Sequence, residues 1–307
     1  MAMELRHLRY LLAVAEQHSF TRAAEELHIS QPTLSQQIKQ LERMVGVPLL
    51  DRGGRSVRLT DAGEAYAHHA RRALRDLEAA ERAVHDVADL SRGHLRLALT
   101  PTFTAYLLGP LLAAFHEARP GIGVQVREAP QDRIESGLLA DEFDLGIAFH
   151  GPHLPGIAAT PLFTELLTLV VSCAPGPPAA GAALPVTELA DRRLALLSGD
   201  FATRVHVDAH LAAHGVRPRI SVEANSVQAL TELVRRTGLA TVLPEAVTEE
   251  QPGLAPVPLD PPLPPRTVTL LRRDGAYESA AARAFAALAH ELTRTRGYAP
   301  PVRPAVR

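Results

Sequence analysis

The sequence predicts a chain in three parts: a small helical domain that closes in a strand hairpin, a long linker helix, and a larger α/β domain. Three observations carry this. Leu34, Ile38, Leu41 and Val45 recur on one side of a helix whose other side is Ser, Thr and Gln. From Tyr66 to Val87, apolar positions follow one another at spacings of 4, 3, 4, 3, 4 and 3. Beyond Gly93, strand-like and helix-like runs alternate as far as Thr293.

Leu8, Leu11, Leu12 and Ala15 share one face of a first helix. Ser19 caps a second, with Phe20, Ala23, Ala24 and Leu27 on its buried side. After a tight turn at His28-Ile29, Ser30 opens the third helix, HISQPTLSQQIKQLERMVG. With Leu34 as origin, Ile38, Leu41 and Val45 fall within about 40° of it at about 100° per residue. Pro32, Gln36, Lys39 and Arg43 fall opposite, flanked by Thr33 and Gln40. Pro32 costs little there, because first-turn N–H groups have no intrahelical partner. It marks a helix start. PLLDRGGRSVRLT then reads as two short strands around Gly53-Gly54, which closes a domain over residues 1–60.

Thr60, followed by Asp61 and Glu64, opens the linker helix, placed over residues 61–92. Its seam is Tyr66, Ala70, Ala73, Leu77, Ala80, Val84 and Val87. A seam of this kind predicts pairing with a second copy; the alternative is a helix lying along its own domain. In the third part, residues 93–293, HLRLALT, GVQVREA, DLGIAF, ELLTLVVS, RLALLS, RISVEAN, ATVLP and RTVTLLRR supply strands. Helices are expected from Phe103 to Ala118 and from about Ile134 to Leu139, among others. Such alternation predicts parallel-type α/β sheets. APGPP and LDPPLPP read as surface loops, and residues 294–307 as a disordered tail.

Composition narrows the classes of function. The 307 residues suffice for two or three cores, and 46% apolar with 21% charged residues is a globular balance. A net charge of −2 gives no global signal for nucleic acid, so any basic patch is local. One cysteine, Cys173, excludes an intrachain disulfide or a cysteine-cluster metal site, and a buried apolar role is expected for it. Neither a signal peptide nor an apolar run of about 18 residues is present, which points to the cytoplasm and away from a membrane. No nucleophile elbow, P-loop, dinucleotide fingerprint or zinc-protease motif occurs, so an enzyme is disfavoured and no cofactor is expected. His206, His210 and His214 share a helix face at metal-compatible spacing, but with no partner carboxylate or cysteine a surface face is the better reading.

The third helix carries the functional signal. A short helix, a turn and a helix with Thr, Gln and Lys outward form a helix-turn-helix, whose second helix enters the DNA major groove by its N-terminal end. A glutamine amide donates and accepts at once, matching the adenine edge. Gln31, Pro32, Thr33, Ser35, Gln36 and Lys39 are therefore the candidate DNA-contacting residues. Arg52, Arg55 and Arg58 in the hairpin suit phosphates.

FTRAAEELHISQPTLSQQIKQLERMVGVPLLDRGGRSVRLTDAG resembles the winged helix-turn-helix of LysR-type transcriptional regulators, and the resemblance extends over the rest of the chain. It implies a dimerising linker helix, a two-lobed periplasmic-binding-protein-like effector domain, a homotetramer, and RNA polymerase as partner. The lobes are expected at about 93–161 with 267–293 and at about 162–266. In such domains ligands sit at strand C-termini, where helix N-termini favour a small anion. Three junctions carry hydroxyls there: Thr100-Pro101-Thr102, Ser198 to Thr203, and Asn225-Ser226. LTPTFTAYLLGPL, DEFDLGIAF, LLSGDFATR and EANSVQALTELVRRTGLATVLP are similar to the cyanate-responsive branch of the family, which implies an activator sensing cyanate. The likeness carries effector contacts to Thr100, Thr102, Gln131, Ser198, Phe201 and Thr203, with another small anion or organic acid as the alternative.

Overall fold

The computed structural model describes residues 3–53, 56–88, 93–173 and 183–301, and for residues 75, 78, 79 and 81–88 the backbone alone. The chain divides into two compact units, Met1–Val84 and His85–Arg307.

The first unit holds α1 (Leu5–Gln17), α2 (Phe20–Glu26), α3 (Gln31–Val45), a ribbon of β1 (Leu50–Asp51) and β2 (Arg58–Leu59), and the start of α4 (Asp61–Ala88). Hydroxyls set the helix starts: Ser19 accepts from the Arg22 N–H, Ser30 from Thr33, and Thr60 from Gly63. Leu11, Val14, Ala23, Leu34, Ile38, Leu41 and Leu49 are fully buried together. Each large side chain among them contributes roughly 1.5–3 kcal/mol by leaving water. Gly63 lets α4 cross the ribbon, since a Cβ there would stand 2.0 Å from the Leu49 carbonyl oxygen.

The seam of α4 is divided. Ala67 and Ala70 pack beneath Leu8 and Leu12 of α1, with Tyr66 and Leu74 beside them. The opening turns thus lie along their own domain, because a helix leaving a small domain must first bury one face against it. Ala73, Leu77 and Ala80 are exposed, and the side chains of Val84 and Val87 lie outside the described residues.

Among its described residues the second unit contains two large sheets of matching topology and one short two-stranded pairing. Its elements are β3 (Gly93–Leu99), α5 (Leu108–Ala118), β4 (Ile122–Glu128), α6 (Gln131–Leu139), β5 (Leu145–Phe149), β6 (Ile157–Glu165), β7 (Leu167–Ser172), β8 (Leu184–Pro185), β9 (Arg193–Leu197), α7 (Ala202–Ala213), β10 (Arg219–Ala224), α8 (Val227–Arg236), β11 (Thr241–Pro244), α9 (Ala246–Glu250), β12 (Leu254–Val257), β13 (Leu259–Asp260), β14 (Arg266–Arg273) and α10 (Ala280–Thr295). The first lobe's sheet has the order β4-β3-β5-β14-β6, with β14 antiparallel to both neighbours. In the second lobe, β10 and β9 join β11-β7-β12 through the Leu194–Ala240 bridge, and β7 is the antiparallel strand. Each antiparallel strand follows a crossing between lobes, at residues 165–167 and 260–266. One apolar cluster runs through both lobes, from Phe103, Phe149 and Phe163 to Leu197, Phe201 and Leu230.

Several expectations change. The helix expected from Phe103 begins as a 3-10 turn, Pro101–Ala105, which breaks at Tyr106 before α5. ELLTLVVS is split at Leu166, its Glu165 ending β6 and the remainder forming β7 in the other lobe. LDPPLPP is docked rather than free, with Leu259 and Leu263 buried. The tail continues in order to residue 301: Tyr298 stacks on Phe163 with ring centroids 4.6 Å apart, and Ala299 bridges Thr164. An aromatic ring able to reach the core outweighs the surrounding prolines. APGPP lies outside the described residues.

Candidate functional site

On α3, Gln31, Pro32, Thr33, Gln36 and Lys39 are exposed and Ser35 is half-buried. Thr33 Oγ1 lies 2.7 Å from Ser30 Oγ, so part of its hydrogen-bonding capacity serves the helix start. Gln37 turns inward, its Oε1 3.0 Å from His7 Nε2. Glu42 accepts from the Leu49 and Leu50 N–H groups at 3.0 and 3.1 Å, tying α3 to the ribbon. Arg52 Nη2 donates to the same carboxylate at 2.8 Å, which gives this arginine a bracing duty in the free protein. Arg58 is exposed on β2, and Arg55 lies outside the described residues. The result is a convex helix start bearing neutral donors and acceptors with one lysine, a shape suited to a major groove.

The second surface is concave. A cavity of about 430 Å³ lies where the C-terminal ends of β3, β4 and β5 meet those of β9 and β10. Thr100, Thr102, Gln131, Phe201 and Thr203 line it, together with Phe149, Asp200 and Asn225. Ser198 does not. Its hydroxyl donates to Asp200 Oδ1 at 2.5 Å, a local turn contact that spacing along the chain cannot reveal.

Two features make the cavity chemically incomplete. Thr100 and Thr102 are 4% and 2% exposed, and the Oγ1 of each has no hydrogen-bond partner in the protein. A buried hydroxyl left without a partner costs about 1–3 kcal/mol. Also, α6 and α7 begin at Pro130 and Phe201, which give no side-chain cap, whereas α2, α3, α8 and α10 are each capped by serine. Gln131 is held in place: its Nε2 donates to Glu135 Oε1 at 3.2 Å, and its Oε1 accepts the Phe149 N–H at 3.3 Å. Burial alone would raise the Glu135 carboxyl. Hydrogen bonds from His153, the Leu154 N–H and Gln131 outweigh this and hold it below its ordinary value.

Sequence reasoning missed the charge pair at the crossings. Arg266 opens β14 opposite Glu165 at the end of β6, and their side chains are ion-paired in the interior. Arg266 also donates to Thr203 Oγ1 at 3.1 Å and stacks 3.9 Å from the Phe149 ring centroid. Tyr106 donates to Glu165 Oε1 at 2.6 Å; burial, then the neighbouring carboxylate, pushes its phenol well above the ordinary range. The available signal was an arginine heading an otherwise apolar strand run, RTVTLLRR.

Other residues turn out to be structural. His206 Nε2 lies 2.8 Å from the Pro264 carbonyl oxygen and His210 Nε2 3.2 Å from that of Pro261. His210 is buried and His206 half-buried against the proline-rich loop, while His214 is exposed, so the expected surface face holds only at its C-terminal end. Among the described residues, no group of three His, Cys, Asp or Glu side chains could hold a metal. Arg204 is neutralised by Asp208 and Glu223. Cys173 is half-buried after β7, more open than the buried position expected. No described helix is long and apolar enough to cross a membrane.

Comparison with known proteins agrees with this division. Residues 5–64 match the bacterial regulatory helix-turn-helix protein model of the lysR family, and residues 88–294 match the LysR substrate binding domain. The nitrogen assimilation regulatory protein nac of Klebsiella aerogenes is 33% identical over 82% of this chain and 82% of its own. The hydrogen peroxide-inducible genes activator of Dickeya chrysanthemi is 30% identical over 89% of this chain and 90% of its own. The structure of full-length CbnR complexed with its target DNA superposes with a TM-score of 0.66 at 26% identity, covering 95% of this chain and 99% of that one. A convex helix start suited to a groove in one unit, a two-lobed cleft in the other and both family models make one assignment: the chain belongs to the LysR family of DNA-binding transcriptional regulators.

Proposed function

We propose that this regulator reads promoter DNA through the N-terminal half of α3 and is switched by a small organic acid held in the cleft. Gln31, Thr33, Ser35 and Gln36 are assigned to base edges and Lys39 to a phosphate, with Pro32 shaping the helix start and Arg52 and Arg55 following the backbone. Exposure of Gln36 and Lys39 on a helix whose opposite face is fully buried supports this. The exposed stripe Ala73, Leu77 and Ala80 supports a homodimer along α4, and a homotetramer follows from pairing such dimers. Effector binding shifts the balance between assembly shapes and favours polymerase contact, making the protein a cytoplasmic activator. The names of relatives such as the Dickeya activator agree with that direction.

The observation that carries the effector half is the pair of buried hydroxyls without a protein partner, Thr100 and Thr102, beside two helices without side-chain caps. An acceptor-rich group would accept hydrogen bonds from the hydroxyls and lie at the positive helix ends. Cyanate has that chemistry, but it is a triatomic ion in a cavity of about 430 Å³ walled partly by Phe149, Phe201 and Val205. An acid with an apolar body fills this space better. Peroxide sensing, the function in the Dickeya relative's name, would rest on Cys173, which does not line the cavity and has no second cysteine to pair with.

Footprinting on the DNA upstream of the protein's own gene tests both halves. Protection by the wild type and its loss in Gln36→Ala are expected, with a footprint altered by organic acids. No protection would sink the reading-helix assignment. An unchanged footprint and no thermal shift with cyanate would remove cyanate alone.

A further inference from the structure

The cavity lining carries polar groups of both kinds. Its donors are the buried Thr100 and Thr102 hydroxyls, which have no protein partner, beside the N-termini of α6 and α7, which have no side-chain cap. The charged residues lining it are all carboxylates, Glu128, Asp132 and Asp200, and all three are exposed. They come from three separate segments, the end of β4, the first turn of α6 and the loop after β9. Among the described residues, no lysine, arginine or histidine lines it. The nearby Arg266 is buried against Phe149 and ion-paired with Glu165. Phe149, Phe201 and Val205 supply apolar wall.

A plain or multiply charged anion would satisfy the donors but bring its remaining negative charge against three carboxylates. A ligand with an acceptor group at one end, an apolar body and a cation at the other meets every part of the lining. We infer that the effector is a zwitterion, an apolar α-amino acid or a similar aminocarboxylate. Its carboxylate lies on Thr100 and Thr102 and its ammonium among Glu128, Asp132 and Asp200. This rests on the cleft being the effector site and adds the amine.

Titration calorimetry and thermal shift on the full-length protein test it with matched probes: L-phenylalanine and L-leucine, their deaminated acids 3-phenylpropanoate and 4-methylpentanoate, and 2-phenylethylamine. At least one amino acid should bind about tenfold more tightly than its deaminated acid, the scale of a charge-assisted hydrogen bond near a solvated rim, and 2-phenylethylamine more weakly than either. In Asp132→Asn with Asp200→Asn that preference should disappear while the deaminated acid binds as before. Asp132→Asn alone, which leaves the Ser198–Asp200 turn intact, should reduce it partway. Thr102→Val should weaken amino acid and deaminated acid together. Deaminated acids binding as well as the amino acids, or a preference unchanged in the double variant, overturns the zwitterion and leaves the organic-acid reading standing. Binding by none of the probes, with Thr102→Val also silent, overturns both.

Discussion

The start of α3 and the cleft both present polar groups, but they leave different things undone. On α3 the helix is capped by Ser30, the core stripe is closed, and Gln31, Gln36 and Lys39 are solvated. Nothing there waits for DNA. In the cleft, two buried hydroxyls have no protein partner and two helices lack side-chain caps. A ligand that completes the cleft also relieves local cost, so binding and stability are linked there. For the reading helix they are nearly independent. On the proposed assignment, DNA is read with a finished surface and the effector sensed with an unfinished one.

The largest expected effect separates the two units. A Cβ on Gly63 would meet the Leu49 carbonyl oxygen at 2.0 Å and carbonyl carbon at 2.9 Å, both backbone atoms. Gly63→Ala should destabilise the first unit by about 3 kcal/mol or more. Calorimetric melting should show its transition lowered or lost, while ligand-induced stabilisation of the second unit persists. Loss of both together would break the comparison by making the units one cooperative body.

Next is Gln36→Ala, expected to reduce discrimination between the operator and base-substituted DNA by about 1–3 kcal/mol. Its melting temperature should stay near that of the wild type, since an exposed substitution is usually neutral within about 0.5 kcal/mol. Lys39→Ala should instead weaken binding evenly across sequences and reduce the salt slope by about 1. Competition binding at several salt concentrations distinguishes them.

The same difference decides what could be read beforehand. The stripe of α3 is periodic within one helix, so geometry alone exposed its outer face. The cleft is assembled from five strand ends in two lobes, and nothing local marks Phe149 or Asp200 as neighbours of Thr102. Proline hid two strands as well. Pro161 lies in β6 and Pro256 in β12, both edge strands, where a missing N–H is tolerated. The matching order of the two sheets has no counterpart in a repeating sequence, because topology is shared without residue identity.

Thr102→Val sharpens the comparison by sign. Replacing an unpaired hydroxyl with a methyl of the same shape removes a desolvation cost, so the ligand-free protein should be unchanged or more stable by about 1 kcal/mol. Effector-induced stabilisation should fall at the same time. A stabilisation unaffected by this change would place the ligand elsewhere.

The smallest effect is pH dependence in the second lobe, carried by His206 and His210. Burial lowers both imidazoles below the ordinary value of 6.5, against the opposing pull of the Pro264 and Pro261 carbonyls. In the window just below 6.5 the unfolded chain therefore binds more protons than the folded one. Stability is fully present above 6.5 and declines as pH falls from there toward the lower folded values. Glu135 acts in a separate window: its folded value is depressed below 4.5, so its contribution is kept above 4.5 and lost only below it. Melting temperatures between about pH 7.5 and 5.5 should fall for the wild type and fall less for His206→Gln with His210→Gln. The α3 surface should show no such dependence, because its candidate reading residues Gln31, Thr33, Ser35 and Gln36 do not titrate. A slope identical in the double variant would assign the acid sensitivity to other groups and leave the proline-rich loop with a pH-independent anchor.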